Sequence, residues 1–172
     1  MKIFRLLLAV VLLTSCGVVV NYDYEKTTDF SKYKTYNYYG DMNTGLSELD
    51  TKRLLRVLDA KLESIGLQLS STPDFFIDIQ SEEYETQSNS NVGVGVGGTG
   101  RNVGGGISVG LPVGQSNPTR RIVFDFVNEN KGGLFWQAVA ESRFNPNASP
   151  EKREAAFAAL VEKVLSKYPP KK

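Results

Sequence analysis

The chain has 172 residues, with 20 Lys and Arg against 19 Asp and Glu, and 41% of its residues are hydrophobic. That length fits one domain with a sizeable core, and the balanced charge excludes the basic excess that recruits nucleic acid. There is no histidine and a single cysteine, which removes the usual general base, the usual zinc ligand, any internal disulfide and His-dependent nucleophiles.

The chain begins with a short positive region, Lys2 and Arg5, around an apolar run formed by Ile3, Phe4 and Leu6 to Leu13. Small residues, Thr14 and Ser15, then precede Cys16. This is a secretory signal pattern over residues 1–15; the run is about half the roughly 20 residues that a spanning helix needs. Leu13-Thr14-Ser15-Cys16 resembles the lipobox of bacterial lipoproteins. The resemblance implies cleavage before Cys16, a diacylglycerol on its thiol and an acyl chain such as palmitate on its new amine. Two or more chains hold a protein stably on a membrane. An ordinary signal peptide with an incidental cysteine is the alternative. Gly17 follows Cys16, so the aspartate of the usual inner-membrane retention signal is missing, and no acidic cluster follows to direct surface display. The expected address is the outer membrane, with residues 16–172 facing the periplasm as one domain. Loss of Lys2 and Arg5 leaves 18 of the 20 basic side chains against 19 acidic ones.

Val20, Tyr22 and Tyr24 alternate with polar residues and predict a first strand. Asp29 to Tyr33 is a polar turn with two aromatic anchors, and Thr35 to Tyr39 a second, aromatic strand. Ser47 begins a helix, with Asp50 three residues on in an approximate capping box. Leu54, Leu55, Leu58, Leu62 and Ile65 make its buried stripe, and Gly66 its C-terminal stop. Leu67 to Leu69 returns to extended chain. Pro73 opens a strand with Phe75, Ile77 and Ile79 on one side and Phe76, Asp78 and Gln80 on the other; Glu82, Glu83 and Glu85 read as its solvated tip.

Residues 88–118 differ sharply. Val92, Val94 and Val96 alternate with glycines, as do Ile107, Val109, Leu111 and Val113 with Ser, Gly and Pro. Period-two spacing on both sides of a Gly-rich tip predicts a long β-hairpin or flexible loop. Its Val94, Val96, Ile107 and Val109 are candidate partner-contact residues, because an apolar, weakly charged β segment is apt to pair.

Ile122 to Val127 reads as a strong strand, Asn128 to Gly133 as a turn, and Leu134 to Ala140 as the paired strand. Ser149 caps a second helix with Pro150 at its first position. Phe157, Leu160, Val161, Val164 and Leu165 form its apolar face, and Tyr168-Pro169-Pro170 ends it.

Taken together, Val20 to Tyr24, Asp29 to Tyr36, Pro73-Asp74-Phe75-Phe76-Ile77, the glycine-rich region, Arg121 to Val127, Leu134 to Ala138 and the closing Tyr168-Pro169 resemble the lipoprotein family called domain of unknown function 4136. The likeness covers essentially the whole mature chain. It implies a fold and an address but no catalytic residues, and Gln137-Ala138 departs from the arginine-glycine pair expected after the tryptophan.

Other constellations weigh less. Gly95-Val96-Gly97-Gly98-Thr99-Gly100 spells a dinucleotide fingerprint, but no amphipathic helix follows to receive a pyrophosphate. Asp78 and Asp125, joined by Glu141, could form a carboxylate pair; a polar outer sheet face gives the same pattern, with Arg120, Arg121, Lys131 and Arg143 as mates. Trp136 reads as core. Tyr22, Tyr24, Tyr36, Tyr38 and Tyr39 could form an aromatic face or simply pair across adjacent strands. The expectation is an α+β fold: a mainly antiparallel sheet, two amphipathic helices on one face as a two-layer sandwich, and a Gly-rich hairpin extension. The expected role is non-enzymatic and cofactor-free, in envelope structure or assembly through a protein partner. The alternative is an envelope binding module for a small apolar or glycan ligand.

Overall fold

Large apolar residues at every second position set one face of the sheet. In the computed structural model, which describes residues 17–86, 117–129 and 133–171, Ile77 and Ile79 lie opposite Phe126 and Phe124, and Phe124 and Ile122 lie opposite Ala138 and Ala140. All seven are fully buried. They sit on β4 (Phe75–Thr86), β5 (Asn117–Asn128) and β6 (Gly133–Arg143), which form an antiparallel meander. The chain begins with β1 (Val19–Tyr24), a one-turn 3-10 helix (Phe30–Lys32) and β2 (Thr35–Tyr38). It continues through α1 (Glu48–Ser64) and β3 (Gln68–Leu69) before β4, and ends with α2 (Pro150–Leu165) after β6. The strand order is β1-β6-β5-β4-β2-β3.

The mainly antiparallel sheet is as expected, and one expectation needs correction. The first two strands are not neighbours: β1 pairs with β6 at one edge, while β2 lies between β4 and β3 near the other. Moreover, β2 runs parallel to both β3 and β4, so the sheet is mixed, though mostly antiparallel. The cause is α1. A parallel neighbour needs a crossover of a dozen or more residues, and α1 between β2 and β3 supplies it. Asp74 fixes the start of the parallel pair, since its Oδ2 accepts from the Lys34 and Thr35 amides at 2.8 and 2.9 Å.

The helix ends follow from local chemistry. Ser47 and Ser149 accept from the amides of Asp50 and Lys152, and Pro150 needs no donor partner at the first turn. Gly66 closes α1 at φ +91, with the Leu67 amide on the Leu62 carbonyl and the Gly66 amide on that of Glu63. The helices run side by side in the same direction: Arg56 pairs with Glu154 at 2.7 Å and Lys61 with Glu162 at 2.6 Å. Their apolar stripes join Phe75, Ile77, Phe124 and Trp136 in one buried cluster, closed by Tyr33, Phe135 and Tyr168. Phe135 enters it through a bulge that shifts the β5–β6 register after Phe126.

Glu82 and Glu83 are solvent-exposed, as expected, and also paired. Strand β4 continues through Thr86, paired opposite Asn117. Glu82 meets Arg121 at 2.9 Å and Glu83 meets Arg120 at 2.6 Å. The anticipated Gly-rich hairpin, its four contact residues and the dinucleotide-like glycines lie outside the described residues, as do Cys16 and Lys131.

Candidate functional site

One end of the sheet gathers charge. The last residues of β6, the first of β1 and the outer parts of β4 and β5 all lie there, since Val19 pairs with Glu141, Glu141 with Arg121 and Arg121 with Glu82. Both helices also start there. Asp50, on the first turn of α1, is 1% exposed. Its Oδ1 accepts from Arg53 at 2.8 Å, its Oδ2 accepts from Arg153 of α2 at 2.7 Å, and Arg120 of β5 stands 4.0 Å away. One carboxylate thus ties α1, α2 and the sheet together. The capping-box reading is half right: Ser47 does receive the Asp50 amide, but the Asp50 carboxylate turns inward to the arginines.

Arg120 is buried as well. Its Nε and NH2 donate to Glu83 Oε1 at 3.1 and 2.6 Å, and its guanidinium lies 3.5 Å from the centre of the Phe144 ring, a cation–π arrangement. Beside it opens a cavity of about 240 Å³ bordered by Arg120, Arg143, Lys152 and Arg153 over Phe144 and Phe157. A second cavity of about 520 Å³ shares Ser142, Arg143 and Ala156 with the first and reaches Gly17 and Val18.

The outward sheet face carries a different row. Asp78 lies opposite Asp125, Asp125 opposite Gln137, and Gln137 opposite Asp23. Gln137 donates to Asp125 at 2.7 Å and Gln80 to Asp78 at 2.9 Å. Partial burial, and then the charge of Asp78, push the Asp125 carboxyl up despite the Gln137 bond. The two carboxylates named from the sequence are therefore neighbours. Their mates are amides rather than the anticipated arginines, because Arg120 and Arg121 are committed to Glu83 and Glu82. Glu141 lies two rungs along β6 from Asp125's partner Gln137, opposite Arg121, and does not complete a triad. Among the described residues no group of three or more Cys, Asp and Glu side chains is arranged to hold a metal ion.

The tyrosines do not form one continuous aromatic face: Tyr22, Tyr24, Tyr36 and Tyr38 all lie on the helix side of the sheet but toward opposite edges, and Tyr39 lies on the other side. Tyr22 approaches Trp136 with ring centres 6.3 Å apart, and Tyr24 reaches Phe30, both at the β1 edge. Toward the other edge Tyr36 and Tyr38 both donate to Asp59 Oδ1 at 2.7 Å, and Tyr39 stacks on Phe76. Burial, reinforced by Asp59, pushes both the Tyr36 and Tyr38 phenols up, so they are donors and not acids. Trp136 is core at 1% exposure. Gln137 and Ala138, the departure noted after it, face outward to Asp125 and inward to the core respectively. The basic cavity escaped the sequence reading. Its cations come from three elements, and the one local signal is the adjacent pair Lys152 and Arg153.

No described helix is long and apolar enough to cross a membrane. A search of curated proteins finds no relative. Among solved structures the chain is similar to PelC from Paraburkholderia phytofirmans, crystallised as a dodecamer, at 10% identity and a TM-score of 0.53, covering 90% of this chain and 99% of that one. It is also similar to a PDZ domain protein from Parabacteroides distasonis, at 12% identity and a TM-score of 0.56, covering 90% of this chain but only 37% of that one. At such identities the likeness is one of fold. The family model described as Domain of unknown function (DUF4136) matches residues 20–170, and the chain belongs to that family.

Proposed function

We propose that this is a lipid-anchored envelope protein, held through Cys16 in the periplasmic leaflet of the outer membrane, with a non-enzymatic role in envelope structure or assembly through protein contacts. In this reading the fold is a two-layer α+β sandwich whose β4–β5 hairpin continues through residues 88–118. One observation carries it: Gly17, next to the candidate anchor, and the strand ends at Thr86 and Asn117 lie at the same end of the sheet. The Val/Gly-alternating segment therefore leaves the domain from the end nearest the proposed anchor, where an apolar β segment would meet membrane-bound partners. The oligomeric likeness of PelC is compatible with such contacts, with a like or an unlike subunit.

The test is photo-crosslinking in intact cells from Val94, Val109, Tyr38 and Asp78, read by mass spectrometry, alongside the mass of the N-terminal peptide of the mature chain. A triacylated Cys16 and a discrete protein adduct confined to Val94 and Val109 are expected. Adducts only to glycan or lipid, or adducts equally from Tyr38 and Asp78, would overturn the assembly role and favour the ligand-binding module.

A further inference from the structure

Positive charge is in excess around the 240 Å³ cavity. Its lining carries four cations, Arg120, Arg143, Lys152 and Arg153, and no acid among the described residues; behind them Asp50 pairs with Arg53 and Arg153, and Glu83 with Arg120. Asp50 and Glu83 hold Arg53, Arg153 and Arg120 in place. Arg143 and Lys152 have no ion-pair partner among the described residues, yet both border the cavity. The cations come from β5, β6 and α2, so they approach from different directions. A tetrahedral oxyanion accepts from several directions at once, with Arg supplying forked donors and Lys a point charge. The cavity is not wholly polar: Phe144, Phe157, Ile122 and Leu160 form its apolar wall. Through Ser142, Arg143 and Ala156 it adjoins the cavity at Gly17 and Val18.

We infer that this cavity binds the phosphate of an anionic phospholipid, with the apolar wall taking the glycerol and upper acyl carbons. The inference rests on the anchored reading for its source of ligand, since a lipid-held Cys16 would keep the Gly17 end at the bilayer surface. Binding there would fix the domain's tilt on the membrane and so aim the segment between Thr86 and Asn117.

Residues 17–172 contain the whole described core, Tyr33 to Tyr168 with Val18 and Val20 packed against it, so this piece is expected to keep the fold without the anchor. Calorimetric titration of this piece would use dihexanoyl phosphatidylglycerol, dihexanoyl phosphatidylcholine and inorganic phosphate. Phosphatidylglycerol is expected to bind at least about tenfold more tightly than either of the others. Arg143→Gln with Lys152→Gln should weaken it about tenfold or more, while Lys167→Gln with Lys171→Gln, beyond the C-terminal end of α2, should change it less than about twofold. Circular dichroism melts of both pairs exclude unfolding as the cause. Equal loss from both pairs, or no binding of phosphatidylglycerol, overturns the site. Inorganic phosphate as tight as the lipid also overturns it, by making the ligand a free ion. The N-terminal peptide mass tests the anchor separately: an unmodified Cys16 with phosphatidylglycerol still bound at the cavity removes the anchor and leaves the site standing.

Discussion

Asp50 is the residue on which most of the charged contacts at the basic end converge. It compensates Arg53 and Arg153 directly and Arg120 at 4.0 Å, from a position 1% exposed. Removing one partner of a buried ion network leaves uncompensated charge and costs about 3–5 kcal/mol. Asp50→Ala is therefore expected to lose that much stability in urea titrations, and a loss below about 1 kcal/mol would show that the arginines find other partners. Asp125 behaves oppositely. Its carboxyl is pushed up in the folded state by partial burial and by Asp78. The folded protein thus holds the Asp125 proton more tightly than the unfolded chain does. This favours folding in acid and is lost as pH rises through the raised value. Asp125→Asn keeps an oxygen for Gln137 and drops the charge opposite Asp78. It should stabilise the fold by about 0.5 kcal/mol near pH 7, with the gain fading near pH 3. Melting temperatures of the two proteins at both pH values decide this, and a gain unchanged in acid would rule out the electrostatic cause.

At the scale of elements, two glycines separate local from tertiary demands. Gly66 ends α1 at φ +91, where an added Cβ meets nothing within 4 Å. Gly45 stands at φ +70 in the loop before α1, and a Cβ there would lie 2.6 Å from the Ser81 carbonyl oxygen on β4. Gly66→Ala is expected to cost about 1 kcal/mol for left-handed backbone alone. Gly45→Ala adds displacement of a strand backbone and should cost about 2–3 kcal/mol; equal losses in denaturant titrations would mean that the loop shifts freely. The same contrast explains what could be read in advance. Ser47, Gly66, Ser149 and Pro150 act within a few residues of themselves, so their roles were plain from the chain alone. So were the apolar alternations of β4 to β6. Gly45 answers to Ser81, and Asp50 to Arg153, 103 residues on; no spacing rule reaches that far. The parallel pairing of β2 with β4 was within reach, since a helix between two strands is what a parallel crossover requires. The alternating tyrosines of β1 and β2 suit cross-strand pairing equally well, and so point to an adjacency that the fold does not make.

On the whole-molecule scale the domain has two chemically distinct ends. At one, both helices begin, the arginines cluster and Gly17 enters; at the other lie Trp136, Tyr168, Phe30 and Phe135, packed ring against ring. Strand β6 joins the ends. From Trp136 to Glu141, the partner of Val19, is about 17 Å at about 3.4 Å per residue. If Cys16 carries the anchor, the aromatic end stands off the membrane. The chain's single tryptophan reports on this. In the lipidated protein on vesicles containing phospholipids brominated near the headgroup, Trp136 fluorescence should be unquenched. Val19 is 59% exposed at the opposite end, and Val19→Trp in a Trp136→Phe background should be strongly quenched. The background change loses no hydrogen bond among the described residues but leaves a cavity at a fully buried position, so a circular dichroism melt of Trp136→Phe accompanies the quenching. Quenching of Trp136 in the unaltered chain, with none from Val19→Trp, would mean that the domain lies on the bilayer by its aromatic end. The basic cavity would then face away from the phospholipid assigned to it.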